Sequence, residues 1–134
     1  MEKGLLNYAD AMVNCQNQFG SCNTGKLFEP RDKSTNDQVI KFAKEMILPS
    51  TSNLHIGIND IATEGTWQYT TGGDLSYTNW GNGEPNNGDG HGAEDCGETG
   101  TFWNDVPCSK ERPSICEMIS IGMYNNEYAL CMQS

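Results

Sequence analysis

The sequence is poor in the features that mark enzymes and nucleic-acid-binding proteins. Its 134 residues include 8 lysines and arginines against 18 aspartates and glutamates, a formal net charge of −10. Nucleic acids and anionic membranes are bound through basic surfaces, so we expect neither nucleic-acid binding nor membrane insertion. The two histidines and the lack of a Cys-x-x-Cys pair disfavour a zinc site. His91 with Asp89 or Asp95 resembles an acid–base pair, but no nucleophile elbow or metalloprotease motif accompanies it, so we predict no enzyme.

Long apolar runs and repeats are also missing. The first residues contain no apolar segment of the length found in a signal peptide or a membrane span, so we expect a mature or recombinant form whose leader has been removed. No collagen-like repeat, heptad neck or Asn-x-Ser/Thr sequon is present. The length is that of one domain, residues 1–134. Six scattered cysteines indicate disulfides, and therefore a secreted, extracellular protein.

The residue pattern predicts two helices followed by short strands, which is an α+β domain. Apolar residues at helical spacing predict helices over residues 8–19 and 34–46, with Ser34 as the N-cap of the second. The predicted buried stripe of that second helix consists of Val39, Ile40, Phe42, Ala43 and Met46. Short strands are expected at residues 25–29, 53–58, 66–70, 101–103 and 114–119. Residues 119–134 predict a C-terminal hairpin extension.

Residues 80–105 are rich in oxygen-bearing side chains and glycine, and almost nothing apolar lies between Trp80 and Phe102. Such a segment has little apolar surface to offset the entropy of ordering it. Calcium takes six to eight oxygen ligands from carboxylates, amides and backbone carbonyls. The segment therefore predicts a calcium site. The aromatic residues Trp67 and Trp80 are expected in the core, because large aromatic side chains dominate the burial in small cores.

Several motifs of this half of the chain occur together and in a defined order. They are Gly57-Ile58-Asn59-Asp60, Thr63-Glu64-Gly65, Tyr77-Thr78-Asn79-Trp80, Glu84-Pro85-Asn86, Glu94-Asp95-Cys96, Trp103-Asn104-Asp105 and Cys108. This set resembles the C-type lectin domain, and in particular the mannose-binding collectins, over roughly residues 6–117. The resemblance implies a C-type lectin-like fold in which two helices flank small antiparallel sheets, with a long calcium-binding loop region and stapling disulfides.

The resemblance also implies a calcium site that binds sugar. The expected metal ligands are Glu84, Asn86, Glu94, Asn104 and Asp105. Two further coordination positions would take adjacent sugar hydroxyls, each of which has two lone pairs and one proton. Glu84 with Asn86 would bind one hydroxyl, and Glu94 with Asn104 the other. In the family the order Glu-Pro-Asn goes with mannose, fucose and N-acetylglucosamine, and the proline is expected to be cis.

Other expectations are less closely tied to these motifs. Asp60, Glu64, Asn87 and Asp95 match the positions of a second calcium, with Asn87 in place of the usual aspartate. His91 is either a peripheral sugar contact or an exposed loop residue. Alternative ligands are galactose-type sugars, as in the family branch whose loop also carries a Gly-His-Gly sequence, or a non-sugar partner such as a protein surface or ice.

The resemblance implies disulfides Cys15–Cys116 and Cys96–Cys108. Cys22 and Cys131 remain, and they either pair with each other or bridge two chains. Because several weak sugar sites gain avidity when they are held together, a homodimer or larger homo-oligomer is expected.

Overall fold

A computed structural model describes residues 5–18, 25–46, 53–90 and 92–118 of the chain. The elements are helix α1 (Tyr8–Asn17), strand β1 (Gly25–Leu27), helix α2 (Lys33–Met46), strands β2 (Leu54–Asn59) and β3 (Gln68–Tyr69), a 3₁₀ turn (Asn87–Gly90), and strands β4 (Cys96–Thr99), β5 (Trp103–Val106) and β6 (Cys116–Met118). This order confirms the predicted α+β class. The hairpin predicted for residues 119–134 lies outside the described residues.

The strands form two small antiparallel sheets. Strand β1 pairs with β6, and the second sheet has the order β3-β2-β4-β5. The sequence pattern does not predict strand β4, because Cys-Gly-Glu-Thr lacks apolar alternation and lies in the expected calcium loop region. All four of its residues are buried. A Cβ at Gly97 would lie 2.2 Å from Cγ1 of Ile58, so the approach of β4 to β2 depends on glycine.

Helix α2 begins one residue earlier than predicted, and Ser34 is not its N-cap. Asp32 takes that role, since its Oδ1 accepts a hydrogen bond of 2.8 Å from the backbone N–H of Thr35. The hydroxyl of Ser34 instead accepts from the side chain of Gln38, one turn further along the helix. An aspartate placed just before a Lys-Ser-Thr run therefore outcompetes the serine as the cap.

The core has two hydrophobic clusters. One packs Ala43 of helix α2 with residues of the larger sheet, and the other packs helix α1 against Leu27 and Cys96. Ile40 and Ala43 of α2 are buried as predicted, but Phe42 is 58% exposed, so its assignment to the buried stripe was wrong. Trp67 and Trp80 pack against the core as partly buried residues. Their packing confirms the expectation that these two indoles belong to the core.

Two disulfides hold the elements together. Cys15–Cys116 joins helix α1 to strand β6, and Cys96–Cys108 joins strand β4 to the turn after β5. Both predicted pairings are therefore confirmed, whereas Cys22 and Cys131 lie outside the described residues. Within the described part of the chain, no helix is long and apolar enough to cross a membrane.

Candidate metal centre

The residues predicted to bind the principal calcium come from three segments that the larger sheet brings together. Glu84 and Asn86 lie in the loop after Trp80, and Glu94 comes just before strand β4. Asn104 and Asp105 lie in strand β5, whose antiparallel pairing places them opposite Glu98 and Gly97 of β4. The Glu84–Pro85 peptide bond is cis, as the resemblance implied.

Asp105 anchors the loop to the sheet. One carboxylate oxygen, Oδ1, accepts a hydrogen bond of 3.1 Å from the backbone N–H of Asn86, and Oδ2 accepts one of 2.6 Å from Asn87. Asp105 itself is buried in β5. A side chain fixed by the strand therefore sets the position of the backbone that carries Glu84 and Asn86.

Two predicted ligand oxygens converge on one backbone donor. The N–H of Gly88 donates to Oδ1 of Asn86 at 3.0 Å and to Oε1 of Glu94 at 2.6 Å. Gly88 has a φ of 74°, a left-handed conformation that glycine adopts without strain. The side chain of Asn87 closes the same loop, because its Oδ1 accepts from the backbone N–H of Glu94 at 2.9 Å. The oxygens of Asn86 and Glu94 are therefore drawn to one place.

An open groove of about 550 Å³ adjoins these oxygens. Its lining includes the predicted ligands Asn86, Glu94 and Asn104 and two basic side chains, Lys110 and Arg112. The other lining residues are Gly88, Gly92, Glu98, Val106 and Pro107. A groove of this size next to several oxygen ligands has room for a small polar ligand such as a sugar.

The carboxylates of this centre repel one another. Burial, followed by the neighbouring Asp105 and Glu94, raises the pKa of Glu84 above its ordinary value. Burial also raises the pKa of Glu94, and Asp105 and Glu98 add to that effect. Oε1 of Glu84 is buried and has no hydrogen-bond partner among the described residues. An all-oxygen set with unbalanced negative charge and an unpaired buried oxygen fits a hard divalent cation such as calcium.

A second acidic cluster lies at the start of the loop after strand β2. Ligand oxygens of Asp60, Glu64 and Asp95 lie within 4.8 Å of one another. Oδ1 of Asp60 and Oδ1 of Asp95 are buried without a hydrogen-bond partner in the described ranges. Burial raises the pKa of both carboxyls, with Glu64 contributing at Asp60 and Asp60 contributing at Asp95. Of the four residues predicted for a second calcium, the structure thus brings three together.

Two further residues were predicted for the site, Asn87 and His91. The amide oxygen of Asn87, predicted as the fourth ligand of the second site, accepts the Glu94 backbone hydrogen bond described above. His91 lies outside the described residues. Glu98 was not among the predicted site residues. It is a buried carboxylate that accepts a hydrogen bond of 3.1 Å from the Asn104 side chain. The sequence contains no local signal for it, because its donors Asn53, Asn104 and Arg112 come from three separate segments.

Comparison with known proteins identifies relatives over most of the chain. The family model described as a lectin C-type domain matches residues 5–118. Collectin-43 of Bos taurus is 36% identical over 116 residues, which cover 84% of this chain and 33% of that protein. The mannose-binding protein of Gallus gallus is 43% identical over 95 residues, or 69% of this chain and 34% of that protein. The chain thus spans about one third of the length of these curated relatives.

Solved structures support the fold. The crystal structure of the C-type lectin CEL-I from Cucumaria echinata superposes with a TM-score of 0.74 at 22% identity, covering 86% of this chain and 84% of that one. This likeness confirms the predicted C-type lectin-like fold. The family match and the curated relatives also confirm the prediction that the chain is not an enzyme, because the matching family model is a lectin domain and one relative is named a mannose-binding protein.

Proposed function

The chain belongs to the C-type lectin domain family, and from this premise we propose that it is an extracellular, calcium-dependent lectin for glycans with free vicinal hydroxyls. The observation that carries the proposal is the convergence of Asn86 and Glu94 on the single N–H of Gly88. In the same loop, Oε1 of Glu84 is buried and has no hydrogen-bond partner within the part of the chain that the structure describes. Side-chain oxygens gathered in this way favour a cation as their common partner.

Glu84, Asn86, Glu94, Asn104 and Asp105 would hold the calcium ion. When bound, the ion supplies two coordination positions for adjacent hydroxyls of a sugar. The carboxylates of Glu84 and Glu94 accept the protons of these hydroxyls, and the amides of Asn86 and Asn104 donate to their remaining lone pairs. Asn104 keeps one N–H for this purpose, since its other N–H donates to Glu98.

We propose a preference for sugars of the mannose, fucose and N-acetylglucosamine type. The order Glu84-Pro85-Asn86 supports it, because this order decides on which side of the ion an acceptor or a donor stands. The chicken relative is named a mannose-binding protein, which is consistent with the same preference.

A column experiment tests the class and the preference together. In millimolar calcium we expect retention on immobilised mannose and complete release by EDTA. Retention in EDTA would refute the dependence on calcium. The double substitution Glu84→Gln and Asn86→Asp reverses donor and acceptor and should shift binding toward galactose. A doubly substituted protein that still prefers mannose would refute the role of this order.

A second calcium is proposed at Asp60, Glu64 and Asp95, supported by their short mutual distances. Titration calorimetry should give two ions per chain, and Glu64→Gln should reduce this to one. An unchanged count would contradict the second site.

We also propose a homodimer or larger homo-oligomer, because one open groove buries little sugar surface and several joined sites raise avidity. Light scattering of the purified chain tests the assembly, and a monomer at every concentration would refute it.

A further inference from the structure

Glu98 is a charged side chain that the proposed ligand set leaves unused. It lies in strand β4, directly opposite Asn104 of strand β5, and it is 2% exposed. A buried carboxylate is costly unless donors or a cation compensate its charge. The surroundings of Glu98 therefore need an explanation.

Three side chains fix the Glu98 carboxylate. Nε of Arg112 donates to Oε1 at 2.9 Å, while the amides of Asn53 and Asn104 donate to Oε2, the latter at 3.1 Å. Arg112 is itself held in place, because it exchanges two backbone hydrogen bonds of 3.0 and 3.1 Å with Leu6. The carboxylate is thus both neutralised and held in position by groups on separate segments.

This arrangement decides which way the Asn104 amide points. An ionised carboxylate only accepts hydrogen bonds, so the NH₂ end of the amide must face Glu98. Its Oδ1 is then directed away from Glu98, and Asn104 lines the same groove as Asn86 and Glu94. Its second N–H donates to none of the residues that the structure describes.

We propose that Glu98 is a positioning residue of the calcium and sugar site, which holds the Asn104 amide so that its oxygen is presented to the cation and its second N–H to a sugar hydroxyl. This inference rests on the proposed function. Glu98 acts through Asn104 and contacts neither the ion nor the sugar. The negative charge matters because a glutamine here has an NH₂ group of its own, which can bind the Asn104 oxygen and turn the amide over.

The first test observes the amide directly and requires no calcium. In nuclear magnetic resonance spectra of the calcium-free wild type, the Asn104 side-chain hydrogen that faces Glu98 should exchange with water more slowly than its geminal partner. Asn53→Ala is the matched control, since it removes another donor from the same oxygen and should leave the Asn104 signals in place. Two Asn104 hydrogens that exchange equally fast in the wild type would overturn the proposal even if the Glu98 variants did not fold.

The second test measures calcium affinity in a double-mutant cycle. Glu98→Gln should weaken calcium binding roughly 10- to 100-fold, the range typical for residues that orient metal ligands. In an Asn104→Asp background, Glu98→Gln should instead strengthen calcium binding. The introduced glutamine can donate to the new carboxylate at position 104, whereas Glu98 repels that carboxylate. A loss of equal size in both backgrounds would show a simple charge effect and overturn the positioning role.

The cycle also separates this inference from the proposed function. A wild type that binds no calcium refutes the proposed function, and the role of Glu98 fails with it. A wild type that binds calcium, with Glu98→Gln binding equally well, refutes the positioning role alone.

Discussion

Glu29 and Glu84 are both acidic side chains drawn into the protein, yet their surroundings offer them very different numbers of donors. Glu29 is 3% exposed and accepts hydrogen bonds from Arg31 at 2.7 Å, from the hydroxyl of Thr70 at 2.7 Å and from the backbone of Thr71 at 2.9 Å. Burial raises its pKa, but the hydrogen bonds from Thr70, Thr71 and Lys26 outweigh burial, so the net pKa lies below the ordinary value.

The candidate metal centre is the opposite case. The pKa values of Glu84, Glu94, Asp60 and Asp95 are all raised, first by burial and then by neighbouring carboxylates, with Glu64 contributing at Asp60. Protein donors balance the charge at Glu29 and leave it unbalanced around Glu84. The difference teaches that burial of an acid does not by itself mark a function. A lack of donors and positive charges around buried carboxylates does mark one, because it identifies the place where an external cation would be stabilised.

Glu29→Gln should have the largest effect on folding. It removes the charge that Lys26 and Arg31 compensate. It also weakens the charge-assisted hydrogen bonds from Thr70 and Thr71 together, each worth roughly 1.5–3 kcal/mol. Urea unfolding in calcium-free buffer measures this loss. Calcium affinity of the folded variant should equal that of the wild type, since Glu29 belongs to a different part of the protein. If Glu29→Gln lost much calcium affinity and no stability, Glu29 would belong with the candidate metal ligands and not with the structural acids.

Glu94→Gln should show the converse behaviour. Calcium affinity is expected to fall by about two orders of magnitude because affinity follows the number of charged ligands, a change of about 2.8 kcal/mol. Stability without calcium should not decrease, since the substitution relieves repulsion and glutamine retains an oxygen for Gly88. Calorimetry and urea unfolding check the two halves of this prediction. Loss of stability in calcium-free buffer would show that Glu94 is a structural acid like Glu29.

The smallest expected effect is the pH dependence of the stabilisation that Glu29 provides. Because the folded pKa of Glu29 is lowered, its stabilisation is present above the unfolded value of about 4.3 and is lost as the pH falls through the folded pKa. The difference in unfolding free energy between wild type and Glu29→Gln should therefore be constant near neutral pH and shrink below about pH 4. Urea unfolding across the acid and neutral pH range measures this difference. An equal difference in unfolding free energy at acid and at neutral pH would contradict the lowered pKa of Glu29.

The helices, the disulfides and the residues of the candidate metal centre were predicted from the sequence for separate reasons. Helix α1 followed from apolar spacing, whereas the pairings of Cys15 and Cys96 came from the resemblance to the family. Strand β4 was missed because it is made of small and polar residues whose burial depends on sheet pairing. Local propensity contains no information on that pairing.

The predictions that failed at single residues failed for similar reasons. Asp32 and Ser34 are both good cap residues, and the backbone hydrogen bond to Thr35 decides between them. Phe42 lies on a helix face that the pattern assigned to the core, but the structure leaves that side chain exposed. Glu29 and Glu98 attracted no attention in the sequence because a buried acid is recognisable only from the donors around it, which come from distant segments.

All three tryptophans of the chain lie in one cluster. The Trp67 and Trp80 rings are 4.8 Å apart, and those of Trp80 and Trp103 are 5.6 Å apart. Trp103 directly precedes Asn104, and its carbonyl accepts from Gly81 at the start of the loop that carries Glu84. The tryptophan fluorescence of the protein therefore comes entirely from the neighbourhood of the proposed binding site. The chain contains its own optical reporter, by which the occupancy of the site can be followed without any label.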